Sequence, residues 1–345
     1  MRNLTILSSI GTSYTDAQIV SGAAAPLCID VGERLTYAVI SDKHDTSMLV
    51  SIPFSADAGT TTAYTVQAQL PFSASTSTVV GMQYMMEHES VFLALESGDI
   101  FRVQVGGGSG EPHREQIEVV GSVDAGIAAA RWSPDEEVLA LVTHEGNLLL
   151  MTQDYDVLYE FTIAQGTEVE EKHVALGWGK KETQYHGKAG KAAALAGQEP
   201  INALVTGDDD GRVRVSWRGD GAYVAVSHVS EGAREIRVFS REGKLHSIGE
   251  KIEALGHVVA WRPSGRLIAA TEKLEHRHDV VFFERNGLRH GEFTLRASTQ
   301  KVLDLAWNSD SSIVAVTAIT DTGTGPEVCV ELWSDKNYHW YLKQE

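Results

Sequence analysis

A chain of 345 residues that is 43% hydrophobic and 22% charged has the material for a large packed core and is not a disordered polymer. Its net charge of −18 argues against binding nucleic acid over the whole surface, although residues 171–300 hold 20 of the 29 basic residues against 17 acids. No run approaches the roughly 20 apolar residues of a membrane span, and Cys28 and Cys329 stand alone, outside any disulfide or metal motif.

The opening MRNLTILSSIGTSY carries one Arg and a short mixed apolar stretch, which predicts no signal peptide and an intracellular protein. The Asn3-Leu4-Thr5 sequon is then a chance match. Asn3–Ser9 has room for one strand, and it is expected to complete the last sheet beside Cys329–Trp333 or Tyr338–Leu342. GERLTYAVIS from Gly32 and ESVFLALESGDIFRVQV from Glu89 each read as two strands of a repeat whose anchor is missing, with the vacant anchors near Ile29 and Met85. Between them the Ser/Thr/Ala-rich stretch 55–78 reads as a mobile surface loop or a fraying edge, not a domain linker. The run Gly106–Gly110 lacks the Lys-Ser/Thr of a phosphate loop and reads as a flexible turn.

From here the repetition is plain. AAARWSPDEEVLALV from Ala128, VRVSWRGDGAYVAVS from Val213, VVAWRPSGRLIAA from Val258 and VLDLAWNSDSSIVAVT from Val302 share one pattern: apolar run, Trp, polar turn, apolar run. Each is a β-hairpin. With Trp178 as a fifth anchor, the spacings between Trp132, Trp178, Trp217, Trp261 and Trp307 are 46, 39, 44 and 46 residues. A four-stranded WD-type unit takes about 40–45 residues. A second hairpin comes next in each unit, with turns expected at Glu242-Gly243, Asn286-Gly287 and Lys336-Asn337. Five Trp anchors and two vacant ones predict an all-β fold, a seven-bladed WD-repeat-type β-propeller, with residues 1–345 as one domain and the Trp residues packed in its core. A two-sheet sandwich would not need a 44-residue repeat.

The residues that invite chemistry have blander readings. Glu275-His276-Arg277-His278-Asp279 falls between two strands, with no fixed third or fourth ligand, and reads as a solvated loop. Asp208-Asp209-Asp210-Gly211 lacks the alternate spacing and terminal Glu of a calcium loop and reads as a polar loop. No Gly-x-Ser-x-Gly elbow is present, so no catalytic, cofactor or metal residue is assigned. One basic cluster remains: Lys180, Lys181, Lys188 and Lys191, and then Arg212, Arg214 and Arg218. It is a solvated face, a partner surface or a contact for tRNA phosphates.

Several stretches resemble the N-terminal propeller of the largest subunit of the Elongator complex. They are Met1-Arg2-Asn3-Leu4, ARWSPDEE at Ala130, GWGKKETQYHG at Gly177, VSWRGDG at Val215, AWRPSG at Ala260, DVVFFERNGLRHGEFTL from Asp279 and NYHWYLKQE from Asn337. The resemblance implies the N-terminal fragment of a much longer scaffold protein, cytoplasmic with a nuclear pool. Its role would be to organise the other subunits for modification of the tRNA wobble uridine. Those are a catalytic acetyltransferase-like, radical S-adenosylmethionine subunit and a second propeller subunit. The chemistry belongs to the catalytic subunit, and dimerisation to regions beyond this chain. The alternatives are a propeller that contacts tRNA directly and a generic WD-repeat adaptor of another complex.

Overall fold

The computed structural model describes residues 17–19, 27–42, 44–53, 64–73, 75–105, 116–165, 205–321, 323, 325–335 and 339–344. The chain divides into two compact units, residues 1–163 and residues 164–343. Among the described residues every regular element is a strand of an antiparallel sheet, and within each sheet consecutive strands pair, except that β1 and β2 both pair with β3.

The first unit holds three sheets. In the first, β1 (Ala17–Ile19) and β2 (Leu27–Asp30) share one edge of β3 (Leu35–Asp42), and β4 (Ser47–Pro53) and β5 (Thr65–Gln69) lie on the other side. The second runs β6 (Val79–Met85), β7 (Ser90–Leu95), β8 (Asp99–Gln104) and β9 (Ile117–Ser122). The third runs β10 (Ile127–Trp132), β11 (Leu139–Thr143), β12 (Asn147–Met151) and β13 (Val157–Thr162). The second unit repeats the plan. Its sheets are β14 (Arg214–Trp217), β15 (Tyr223–Ser230), β16 (Ala233–Ser240) and β17 (Leu245–Ile248), then β18 (Leu255–Trp261), β19 (Leu267–Lys273), β20 (His278–Glu284) and β21 (Arg289–Thr294). The last is β22 (Thr299–Trp307), β23 (Ile313–Asp321), β24 (Pro326–Ser334) and β25 (Tyr341–Gln344).

Within each unit neighbouring sheets pack face on face, so the middle sheet is covered on both sides. All six residues of β7 and all five of β11 are buried, as continuous apolar strands require. Val91, Leu93 and Leu95 face the core shared with the first sheet, and Phe92 and Ala94 face Trp132 and the third. At about 25 cal/mol per Å² of apolar surface removed from water, these layers supply the main driving force for folding.

The Trp hairpins form as read. Trp132, Trp217 and Trp261 are buried and Trp307 is half-buried, while Trp178 lies outside the described residues. Each of these four ends the first strand of its sheet and sits opposite an early residue of the second strand: Leu139, Val224, Ile268 and Val314. The fourth residue after Trp132, Trp217 and Trp307 takes a positive φ, at Glu136 (59°), Gly221 (67°) and Ser311 (63°). The second hairpins turn at Gly243 and Gly287 with φ of 79° and 87°, the conformation that an N-G or E-G turn supplies.

Several expectations need correction or lie out of reach. Among the described residues six sheets are present, not seven. The count of seven relied on Trp178 as an anchor, and none of the six sheets uses it. Spacing alone places an anchor at Trp178, and residues 166–204 around it lie outside the described residues. The stretch 55–78 is not all loop: Thr65–Gln69 is the outer strand of the first sheet, with Ala68 fully buried, although its Thr/Gln positions hide the alternation. Met85 fills its vacant anchor position and is buried, but Ile29 is exposed and its neighbour Asp30 is buried instead. The strand at Asn3–Ser9, the turn at Lys336-Asn337 and the glycine run Gly106–Gly110 lie outside the described residues.

Candidate partner surface

Lys180, Lys181, Lys188 and Lys191 lie outside the described residues, so the surface that can be built starts at Val205. From here a loop of the second unit leads into β14. The Val205 N–H donates to the Gly232 carbonyl, tying the loop to the β15–β16 turn. Its Asp208-Asp209-Asp210-Gly211 run is a loop, as read, and a tightly organised one. The Gly211 N–H donates to Asp209 Oδ1 (2.7 Å) and the Arg212 N–H to Asp210 Oδ1 (3.0 Å), while Gly211 takes a φ of 69°.

Each aspartate takes a different cation. Asp209 receives a two-pronged bond from Arg234 of β16, Nε to Oδ2 (2.5 Å) and Nη2 to Oδ1 (2.6 Å), and both side chains are fully buried. Arg234 also donates to Ser227 Oγ (3.1 Å) and to the Arg212 carbonyl (3.1 Å). Burial alone pushes the Asp209 carboxyl up. The hydrogen bonds from Arg234 and the Gly211 N–H, with the guanidinium charge, outweigh it and hold the group below the ordinary carboxylate range. Asp210 pairs with Arg214 (2.5 Å), and again the guanidinium and the Arg212 N–H overcome burial and lower its pKa. Asp208 pairs with Lys273 of β19, whose ammonium also donates to the Gln300 carbonyl (3.0 Å). The three carboxylates are thus occupied by the protein's own cations.

The three described arginines of the basic cluster are separated by this pairing. Arg212 is exposed, with its carbonyl bound by Arg234. Arg214 is neutralised by Asp210. Arg218, at the far end of β14, donates through Nε to Asp220 Oδ1 (2.7 Å) and lies 4.7 Å over the Tyr223 ring. Tyr223 is flanked in turn by Arg285 (4.9 Å) and stacks on Trp261.

Glu275 and His276 are exposed as expected, but His278 and Asp279 are not loop residues. They open β20 and are buried. His278 turns into a cleft that also receives Thr206, Asp208, His257, Lys273 and Lys301. The cavity volume is about 10 Å³, room for one water. Among the described residues no group of three or more His, Cys, Asp or Glu is placed to hold a metal. Sequence reading missed Arg234, Lys273, His257 and Lys301. The signal for Arg234 was its parity, since it alternates with the buried Ile236 and Val238 on β16, and a charge on the inward face calls for a buried partner.

The family model described as the ELP1 first N-terminal β-propeller matches residues 1–345. Elongator complex protein 1 of Oryctolagus cuniculus is 38% identical over 351 residues, covering 100% of this chain and 25% of the relative. The Mus musculus protein is 44% identical over 77% of the chain and 20% of the relative, and the Saccharomyces cerevisiae protein 39% over 72% and 21%. The chain therefore spans about a quarter of the length of the rabbit relative or less in the others. Among solved structures, the WD40 domain of Toxoplasma gondii coronin aligns with TM-score 0.58 at 7% identity, covering 96% of this chain and 74% of that one. The C-terminal WD40 domain of Sif2 aligns with TM-score 0.53 at 14% identity, covering 94% and 74%. These two likenesses show a WD40-type β-propeller fold. The family match runs the whole length of the sequence, and the chain belongs to the Elongator complex protein 1 family, over the region described as its first N-terminal β-propeller.

Proposed function

We propose that the chain is a non-catalytic platform of the Elongator complex, where it holds protein partners in place for wobble-uridine modification of tRNA. Family membership over residues 1–345 is the observation that carries this reading. The partners are the catalytic subunit, which supplies the chemistry, and the second propeller subunit, and the site of action is the cytoplasm. Two features of the second unit support a platform over a reaction centre. Its buried charges are engaged in internal pairs, and its polar cleft has room for one water.

The RNA-reader alternative draws less support, because Arg214 and Arg218 are each paired with a carboxylate of their own loop. Labelled tRNA titrated into the chain at near-physiological salt tests the choice. The platform reading predicts affinity weaker than about 1 μM. Tighter binding that falls steeply with salt, and that is lost on charge reversal of Arg212 and Arg214, would establish the RNA reader instead.

A further inference from the structure

We propose that the cleft between the Asp208 loop and strands β18, β19, β20 and β22 is a binding site for one tetrahedral oxyanion of the phosphate class. The inference concerns the second unit alone and does not rest on the platform reading. His257 of β18 and His278 of β20 are each less than a tenth exposed, and neither ring has a hydrogen-bond partner among the described residues. Their ring nitrogens are not fully enclosed, so two largely buried imidazoles line one cleft and leave their N–H groups for water or a ligand.

The other groups fix the sign of that ligand. Lys273 is neutralised by Asp208, but Lys301 lines the cleft with no carboxylate partner among the described residues. Thr206 and Thr271 add hydroxyls. The lining is therefore rich in donors, and its one carboxylate is already engaged. Such a set suits an acceptor with several oxygens and disfavours a metal cation, which would meet two ammonium groups.

Protonation obeys the same logic. Burial first, then the charges of Lys273 and the neighbouring His257, hold His278 down at about 4. His257 is lowered chiefly by burial, with Arg214 and Arg234 pushing it down and Asp210 and Asp209 pulling it up. Both rings are thus neutral near pH 7, each with one N–H to donate, and Lys301 supplies the charge. The recess of about 10 Å³ admits a single oxygen atom, so the rest of the anion sits in the open mouth. A tetrahedral anion fits this better than a planar carboxylate. It can place one oxygen inside and still offer three to donors on four different strands.

Thermal unfolding of the 345-residue chain in sodium phosphate and in sodium chloride, at equal ionic strength and pH 7, tests the site. A specific ligand stabilises the folded state in proportion to the logarithm of its concentration above Kd. Phosphate should therefore raise Tm progressively over chloride in the native chain and in Arg266→Gln, an exposed charge-removal control. In Lys301→Gln, which keeps the aliphatic stem, phosphate affinity should fall at least tenfold. Equilibrium dialysis of labelled phosphate against the native chain should give one site. Equal Tm in the two salts, dialysis showing no bound phosphate, or an undiminished phosphate effect in Lys301→Gln would each overturn the proposal.

Discussion

Arg234 and Asp209 show how much a single buried pair can hold in place. With both side chains fully buried, removing one partner leaves an uncompensated charge in the interior. Arg234→Ala should cost about 3–5 kcal/mol, read from the urea midpoint, whereas breaking the more exposed Arg102–Glu118 pair with Glu118→Ala should change it by less than about 1 kcal/mol. His278 adds a pH signature whose cause is burial rather than an ion pair. Its folded pKa of about 4 lies below the ordinary 6.5, so between those values the unfolded chain binds a proton that the folded chain refuses. Stability rises with pH wherever the unfolded state binds more protons, so this contribution is intact above about pH 6.5 and is lost as the pH falls to about 4. His278→Gln should flatten the slope of stability against pH in that window. A slope unchanged by the substitution would show that other groups set it.

At the level of the element, the hairpin turns carry much of the register. Gly287 has a φ of 87°, and a Cβ built on it would lie 2.1 Å from the Ile248 carbonyl oxygen. Gly146 has a similar φ of 80° with nothing within 4 Å. Alanine at Gly146 should therefore cost only backbone strain, about 1–2 kcal/mol, and alanine at Gly287 clearly more. Equal losses on thermal denaturation would mean that the close approach of the β20–β21 turn to β17 is not a constraint. Trp261 tests the anchors in the same way. It is buried against Tyr223, its backbone N–H donates to Ser216 Oγ (2.8 Å), and Trp261→Ala should cost about 3–5 kcal/mol.

These elements also show what could be read in advance. The Trp hairpins and the Gly243 and Gly287 turns were legible because an aromatic, a polar turn and an apolar run are local signals with a fixed period. β5 was not, because on this mostly polar edge strand only Val66 and Ala68 pack against core clusters, and a register shift breaks their alternation. The Asp208–Asp210 loop was recognised as polar, but its three cations come from Arg214, Arg234 and Lys273, and the last two are distant in sequence. Pairings of that kind arise from tertiary structure, not from a motif. The blade count failed for the opposite reason. A regular spacing was extended to Trp178 on a single local signal, and that residue lies outside the described residues, which hold six sheets.

At the scale of the molecule, the described residues form two units of three sheets each, with layered cores and buried ion pairs closed internally. Membership of the Elongator complex protein 1 family is what motivates the proposed platform role. Partner contacts across a buried apolar interface resist salt, whereas exposed charge pairs are screened within about 8 Å at physiological ionic strength. The most direct measurement is co-purification of the tagged 345-residue chain with the purified catalytic and second propeller subunits of Elongator. It should be carried out at physiological and then at raised salt, with folding of the bait verified by its thermal transition. The platform account predicts that at least one subunit is retained in stoichiometric amount under both conditions. A folded chain that retains neither would contradict it.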